Sequence, residues 1–271
     1  MKMKQTDNQL TVSVAMSVYN GERFIRDQLN SILFQLGEAD ELILSYSPSR
    51  DGSFRIINQY EKNDNRIHII FNENPSDYVY NTNRLLQQCS GDIIFMAGQD
   101  SIWSDNKIQS VLDEFNRNPK TTTVVHDASG VRDWELNPSK RTYFQVNHTN
   151  KYLMLNLLKN SFDENCMAFS SAIRDLICPI PKKIGSLGMW IGIISGAFGK
   201  ISLIKKSLML KCSGETVKAS QNYNRFYILK SLKKRRKAIE VRQSIGKIKR
   251  RKKNNNVVYS PDFEERSKEI S

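Results

Sequence analysis

The chain has 271 residues, a net charge of +13, 39% hydrophobic and 25% charged residues, which is a soluble globular composition and not a disordered one. The charge is not spread out: residues 221–253 hold fourteen Lys and Arg against the single acid Glu240, and the remainder is balanced at 27 positive against 27 negative. That excludes a uniformly basic, histone-like protein and leaves a neutral body with one basic segment.

In chain order, residues 11–17 alternate as a strand and stop at Tyr19-Asn20-Gly21, and Phe24, Ile25, Leu29, Ile32 and Leu33 then fall on one helix face. Residues 41–45 form a second strand, Asp51-Gly52 a turn, and Phe54, Ile56, Ile57 and Tyr60 a second helix. A third strand spans 66–71, a short helix 81–89, a fourth strand 92–97, a helix 105–117 and a fifth strand 121–126. Strands alternating with helices of this length imply right-handed crossovers and a mostly parallel sheet. Ligands of such sheets bind at the strands' carboxyl ends, here Ser17–Gly21, Tyr46–Gly52, Gly98–Trp103 and His126–Ser129.

Beyond residue 150 the pattern turns helix-rich, through 152–158, Met167–Ile173 and the uncharged run Ile184–Gly199. That run has 16 residues and five glycines, too short to span a bilayer. It reads as a buried helix with Gly188, Gly192 and Gly196 on a small face. The four cysteines lack zinc-knuckle spacing and are expected as free thiols. The polar first ten residues do not read as a signal peptide.

Three segments, SVAMSVYNGERFIRDQLNSI, CSGDIIFMAGQDSIWSDNKI and MWIGIISGAFGKI, resemble in order and spacing the family 2 glycosyltransferases of GT-A fold. The resemblance covers roughly residues 10–220 and is strongest to the bacterial rhamnosyltransferase-like branch. It implies an α/β domain over 1–220, with a twisted sheet flanked by helices. It also implies a bound nucleoside-diphosphate sugar of UDP or dTDP type, a Mg or Mn ion, and inverting transfer to a glycan or lipid-linked acceptor. The nucleotide-binding positions so implied are Ser17, Tyr19, Asn20 and Gln99, and the metal position is Asp100.

The chemistry needs hard oxygen ligands for a metal on the diphosphate and a base for the acceptor hydroxyl. Set against the family, this chain departs at those positions. The family's Ser-Asp-Asp-Gly-Ser-x-Asp-Gly stands here as Ser45 to Gly52, with Tyr46 and Ser47 in place of two aspartates. Its Ser-Asp-Gln-Asp-Asp-x-Trp stands as Ala97 to Trp103, with Gly98 and Ser101 replacing aspartates around Asp100. The expected base position is Gly188, before Trp190, and the late histidine motif has become Lys211 to Gly214. The family's loop glycine aligns with Asp77, and its Gly-Cys-Thr with Glu164, Asn165 and Cys166. Positions that build the fold fit: Gly21, Phe24, Gly91, Asp92, Trp103, Trp190 and Gly199.

This patterned loss implies a homologue of capsule- or O-antigen-type surface polysaccharide biosynthesis with weak or absent activity. Two other readings stand beside it: a working transferase rearranged around Asp100, and a non-catalytic scaffold holding a partner glycosyltransferase or glycan. Asp163 and Glu164 are adjacent carboxylates from which a base could come, and Arg50 could replace metal charge. His126-Asp127, Trp103 and Trp190 read as structural.

Residues 221–256 carry apolar positions at helical steps opposite cations, including Lys233, Lys234, Arg235, Arg236, Lys237, Lys249, Arg250 and Arg251, ahead of a tail at 257–271. An amphipathic cationic helix suits an anionic membrane surface. Nucleic acid is disfavoured, because charge alone would carry it and no recognition motif accompanies the charge. The expected location is cytoplasmic, peripheral at the inner face of the cell membrane.

Overall fold

The structure is a computed structural model that describes residues 10–73, 77–131, 138–147, 149, 162–182, 184, 186–212 and 236. The chain divides into the units Met1–Asn224 and Arg225–Ser271, and every element below belongs to the first. The expected segment 152–158 and, apart from the exposed helical Arg236, the basic segment 221–256 lie outside the described residues.

The amino-terminal half follows the predicted alternation. Strand β1 (Val12–Val18) is the centre, flanked in parallel by β2 (Glu41–Tyr46) and β4 (Ile93–Ala97), with β3 (Ile67–Phe71) parallel outside β2. The near-continuous apolar sequences of β1, β2 and β4 suit strands buried on both faces; Val14, Met16, Leu42, Leu44 and Ile94 have no exposure. Helices α1 (Ile25–Leu33), α2 (Ser53–Asn63), α3 (Tyr78–Gln88) and α4 (Lys107–Arg117) return the chain between or after these strands. Helix α1 buries Ile25, Leu29 and Ile32, the i, i+4, i+7 positions of its apolar face.

The second half is mixed. Strand β6 (Thr121–Val131) runs well past the predicted end at 126 and pairs in parallel with β9 (Lys200–Lys211) through three register shifts. Strand β8 (Met167–Ser170) lies antiparallel between β4 and β6 and joins the two halves into one sheet, ordered β3-β2-β1-β4-β8-β6-β9-β5. Strand β5 (Ser101–Trp103) pairs with the end of β9, and β7 (Pro138–Thr142) hangs off β6. Three further helices are α5 (Tyr143–Asn147), α6 (Ser171–Ile177) and α7 (Leu187–Phe198).

One prediction fails here. The helix expected over Met167–Ile173 is a strand followed by α6, because Met167, Ala168 and Phe169 are buried in the slot between β4 and β6. A short apolar run suits a helix or a buried strand equally, and its neighbours decide. The run at 184–199 does form a helix, with Leu187 to Ser195 buried. The described cysteines are all free, as expected, and burial pushes the Cys89 thiol up to about 12.

Helix α4 opens on an unusual residue. Lys107 is 1% exposed, its Nζ donates to the Asn165 carbonyl at 3.3 Å and lies 3.8 Å from the centre of the Trp103 ring. Burial lowers its pKa to about 7, against the opposing pull of Cys166 and Asp163. The unfolded lysine titrates near 10.4, so between about pH 7 and 10 the unfolded chain binds a proton that the native chain does not. Stability therefore rises with pH across that window, and the burdened state is the one below it. Thermal melts at steps from pH 6.5 to 9.5 should show the wild type gaining Tm relative to Lys107→Met as pH increases.

Candidate functional site

A cavity of about 810 Å³ opens at the carboxyl ends of β1, β2 and β4. Ser17, Val18, Tyr19 and Asn20 line it from the end of β1, Ser47 and Asn72 from the ends of β2 and β3. Gly98, Gln99 and Asp100 line it from the loop after β4, and Glu164 and Asn165 from the 3₁₀ turn (Glu164–Cys166) before β8. All five predicted nucleotide and metal positions thus meet at one site.

Their side chains divide the work in a way the sequence does not reveal. Gln99 binds the Tyr19 backbone from both sides, accepting its N–H at 2.8 Å and donating to its carbonyl at 2.6 Å. Asn20 sits at φ 49, a left-handed conformation that Asn tolerates, and its Oδ1 accepts the Arg50 N–H at 3.0 Å. Both residues therefore build the cavity wall, fixing the loop after β1 to those after β4 and β2. Ser17 faces the cavity, and Tyr19, 54% exposed, leaves its ring on the rim. Arg50, the candidate substitute cation, is exposed and does not line the cavity.

Where the family has aspartates, the structure puts neutral contacts. Tyr46 is buried, with its ring packed on Phe54 and Phe71 and its hydroxyl accepting the Ser49 N–H at 3.0 Å. The Asn72 amide donates to Ser45 Oγ at 2.9 Å and Ser47 Oγ at 3.1 Å. Asn72 directly follows β3, the one predicted strand of the first five whose carboxyl end is not among the expected ligand-facing segments.

Asp100 stands at the mouth of β5. Its carbonyl accepts the Cys212 N–H at 2.8 Å, and a Cβ added at Gly98 would lie 3.0 Å from its Oδ1 and 3.1 Å from Asn165 Nδ2. Among the described residues no group of three or more His, Cys, Asp or Glu gathers as a metal cluster. One carboxylate fits a hard divalent ion taken up together with diphosphate oxygens and water, the usual manner for magnesium. Behind it, Lys211 Nζ pairs with Asp163 Oδ2 at 3.0 Å. Burial works against that ammonium, but Asp163 and then Asp100 outweigh it and raise its pKa.

His126-Asp127 is structural. Burial, then the Lys107 charge, hold the His126 pKa well below its usual value, and Asp127 Oδ1 accepts the N–H groups of Ala128 and Phe144 at 2.8 Å. Neither lines the cavity. Trp103 and Trp190 are core residues, and Trp190 Nε1 donates to the Ile177 carbonyl at 3.1 Å.

The pattern of the family described as Glycosyl transferase family 2 matches residues 13–177. The chain belongs to glycosyl transferase family 2. It is 32% identical over 102 residues to TuaG of Bacillus subtilis, a glycosyltransferase assigned to teichuronic acid biosynthesis, covering 38% of this chain and 40% of that protein. It is 30% identical over 108 residues to the Escherichia coli UDP-Glc:alpha-D-GlcNAc-diphosphoundecaprenol beta-1,3-glucosyltransferase WfgD, covering 40% of this chain and 42% of that one. The chain thus spans less than half the length of these curated relatives. Among solved structures, S. aureus TarS 1-349 in complex with UDP-GlcNAc superposes with a TM-score of 0.62 at 14% identity, over 84% of this chain and 66% of TarS 1-349. The mannosyltransferase PcManGT of Pyrobaculum calidifontis, in complex with GDP-Man and Mn2+, superposes at 0.60 and 13% identity, over 78% and 59%. The fold is that of GT-A glycosyltransferases.

Within this family member, Gly188, the position expected to carry the base, is closed to any side chain. A Cβ there would lie 2.3 Å from the Phe162 carbonyl oxygen and 3.0 Å from the Glu164 nitrogen, and one at Gly192 would lie 2.5 Å from the Phe162 ring. Backbone atoms cannot retreat as a flexible side chain can. Gly188→Ala and Gly188→Asp should each lose about 1–3 kcal/mol of stability, read as a lower urea midpoint.

Proposed function

We propose that this chain is a weakly active family 2 glycosyltransferase of bacterial surface polysaccharide assembly, working from a site rearranged around Asp100. The donor is a UDP- or dTDP-type sugar bound in the cavity at the ends of β1, β2 and β4. The acceptor is a glycan or lipid-linked sugar. The observation that carries this reading is the cavity itself: the loops after β1, β2 and β4 are hydrogen-bonded to one another around it, although several family aspartates are gone. A fold kept only for its shape would have no need of an open, cross-braced pocket with a carboxylate facing into it. The relatives support the chemistry, since WfgD is named for UDP-Glc and a diphosphoundecaprenol acceptor and TarS is seen with UDP-GlcNAc.

Asp100 would hold the Mg or Mn ion, which when bound offsets the charge of the leaving diphosphate. The chain's own groups do the rest. Tyr19 offers a ring on the rim for a nucleobase, and the Asn72, Asn81 and Asn165 side chains supply neutral polar groups around the sugar diphosphate. With a single carboxylate, metal affinity in the absence of nucleotide is weak, which is the physical reason for low turnover.

Calorimetric titrations with UDP and dTDP, with and without Mn2+, test this. The wild type should bind a nucleotide more tightly with Mn2+ than without, and Asp100→Ala should abolish that increment; no binding of either nucleotide overturns the proposal.

We further propose that the basic segment holds the enzyme at an anionic membrane, where lipid-linked acceptors reside. Among the described residues no helix is long and apolar enough to cross a membrane, and the +13 charge of residues 221–253 attracts a surface without any spanning helix. Flotation with phosphatidylglycerol vesicles should recover the full chain and not a chain ending near residue 220. Equal recovery of both removes the anchoring role.

A further inference from the structure

We propose that Glu164 is the catalytic base of this transferase, its carboxylate accepting the proton of the acceptor hydroxyl. The inference rests on the transferase reading above. In the step, a bond forms between the acceptor oxygen and the anomeric carbon of the donor. The bond from that carbon to the phosphate oxygen breaks, its electron pair leaves with the nucleoside diphosphate, and the proton passes to Glu164.

Four observations converge on this residue. Among the described residues lining the cavity, Asp100 and Glu164 carry the only carboxylates. A transfer of this kind asks for two separate duties, one at the diphosphate and one at the attacking hydroxyl. Asp100 stands in the loop after β4, so Glu164, on the separate turn ahead of β8, is the carboxylate left for the hydroxyl.

Second, Glu164 is held from its backbone outward. Asp163 caps the turn, its Oδ1 accepting the Asn165 N–H at 3.0 Å, while its Oδ2 pairs with Lys211. Asp163 is thereby engaged away from the cavity and does not line it. Third, the start of α7 is closed against this turn. The absence of a side chain at 188 is what lets residues 162–164 approach, since a Cβ there would lie 2.3 Å from the Phe162 carbonyl oxygen and 3.0 Å from the Glu164 nitrogen. The turn that leaves no room for a side chain at 188 places Glu164 among the residues lining the cavity.

Fourth, the surroundings suit a proton acceptor. Burial, then the neighbouring Asp163 charge, raise the Glu164 pKa, with Lys211 and the backbone N–H groups of Glu164 and Gly188 opposing. The Tyr78 phenol, which also lines the cavity, is held above its ordinary pKa by burial and then by the Glu164 charge, so it stays protonated and does not compete as the base. A carboxylate with a raised pKa binds a proton more readily than an exposed one.

The test needs no knowledge of the acceptor, because water can take its place. Release of UDP or dTDP from UDP-glucose, UDP-N-acetylglucosamine, UDP-galactose and dTDP-rhamnose is followed with Mn2+ present, beside calorimetric binding of UDP and dTDP. Glu164→Gln should bind nucleotide within about twofold of wild type and lose about 100-fold or more of the release rate. A glutamine variant that keeps release within about threefold of wild type overturns the assignment. So does a wild type that binds nucleotide and releases none from any donor. A wild type that binds neither nucleotide overturns the transferase reading and the base with it. Should Glu164→Gln lose binding through misfolding, Glu164→Asp against Glu164→Asn decides, equal rates in the two being the overturning result.

Discussion

The contact on which the site depends is the approach of residues 162–164 to the first two turns of α7. The Phe162 carbonyl sits over Gly188 and its ring over Gly192, at distances that leave no space for a methyl group. This contact seats the turn Glu164–Cys166, and the turn leads directly into β8. Strand β8 is in turn the only described link between the parallel half of the sheet and the mixed half, through β4 on one side and β6 on the other. A change at two glycines of one helix would therefore reach both the cavity and the continuity of the sheet. Close packing has no slack to absorb it.

Around that turn the charges form a graded set. Lys107 lies behind it, fully buried against Trp103 and with its pKa drawn down by burial. Lys211 lies beside it, paired with Asp163 and raised. Two ammonium groups of the same kind respond in opposite directions because only one has a carboxylate within ion-pairing distance. Glu164 occupies the cavity side of the same cluster. The environment thus separates two adjacent carboxylates, Asp163 into an ion pair and Glu164 into the site, and burial rather than residue type assigns their roles.

Much of the first half was legible in the sequence. The strands at 12–18, 41–46, 67–71 and 93–97 are local apolar runs punctuated by Asn-Gly, Asp-Gly and Ser-Gly, so short-range pattern sufficed. The strand-end positions Ser17, Tyr19, Asn20, Gln99 and Asp100 were likewise foreseen as lining residues. What each does there was not. Gln99 and Asn20 brace loops because their partners, the Tyr19 backbone and the Arg50 N–H, lie 80 and 30 residues away. Strands β5, β8 and β9 escaped notice for the same reason. Each takes its identity from distant partners, and β9 is bent by register shifts that blur any alternation.

The sequence by itself determined the family, the doubly wound beginning of the fold and the concentration of charge in residues 221–253, since all three are properties of local pattern and composition. It also showed that carboxylates were missing from the expected places. Only the tertiary structure decided where the remaining ones stand. Whether Glu164 replaces what Gly188 lacks depends on two segments more than twenty residues apart coming within van der Waals contact. That contact is set by the packing of Phe162 against a helix without side chains at two positions, a relation no periodicity records.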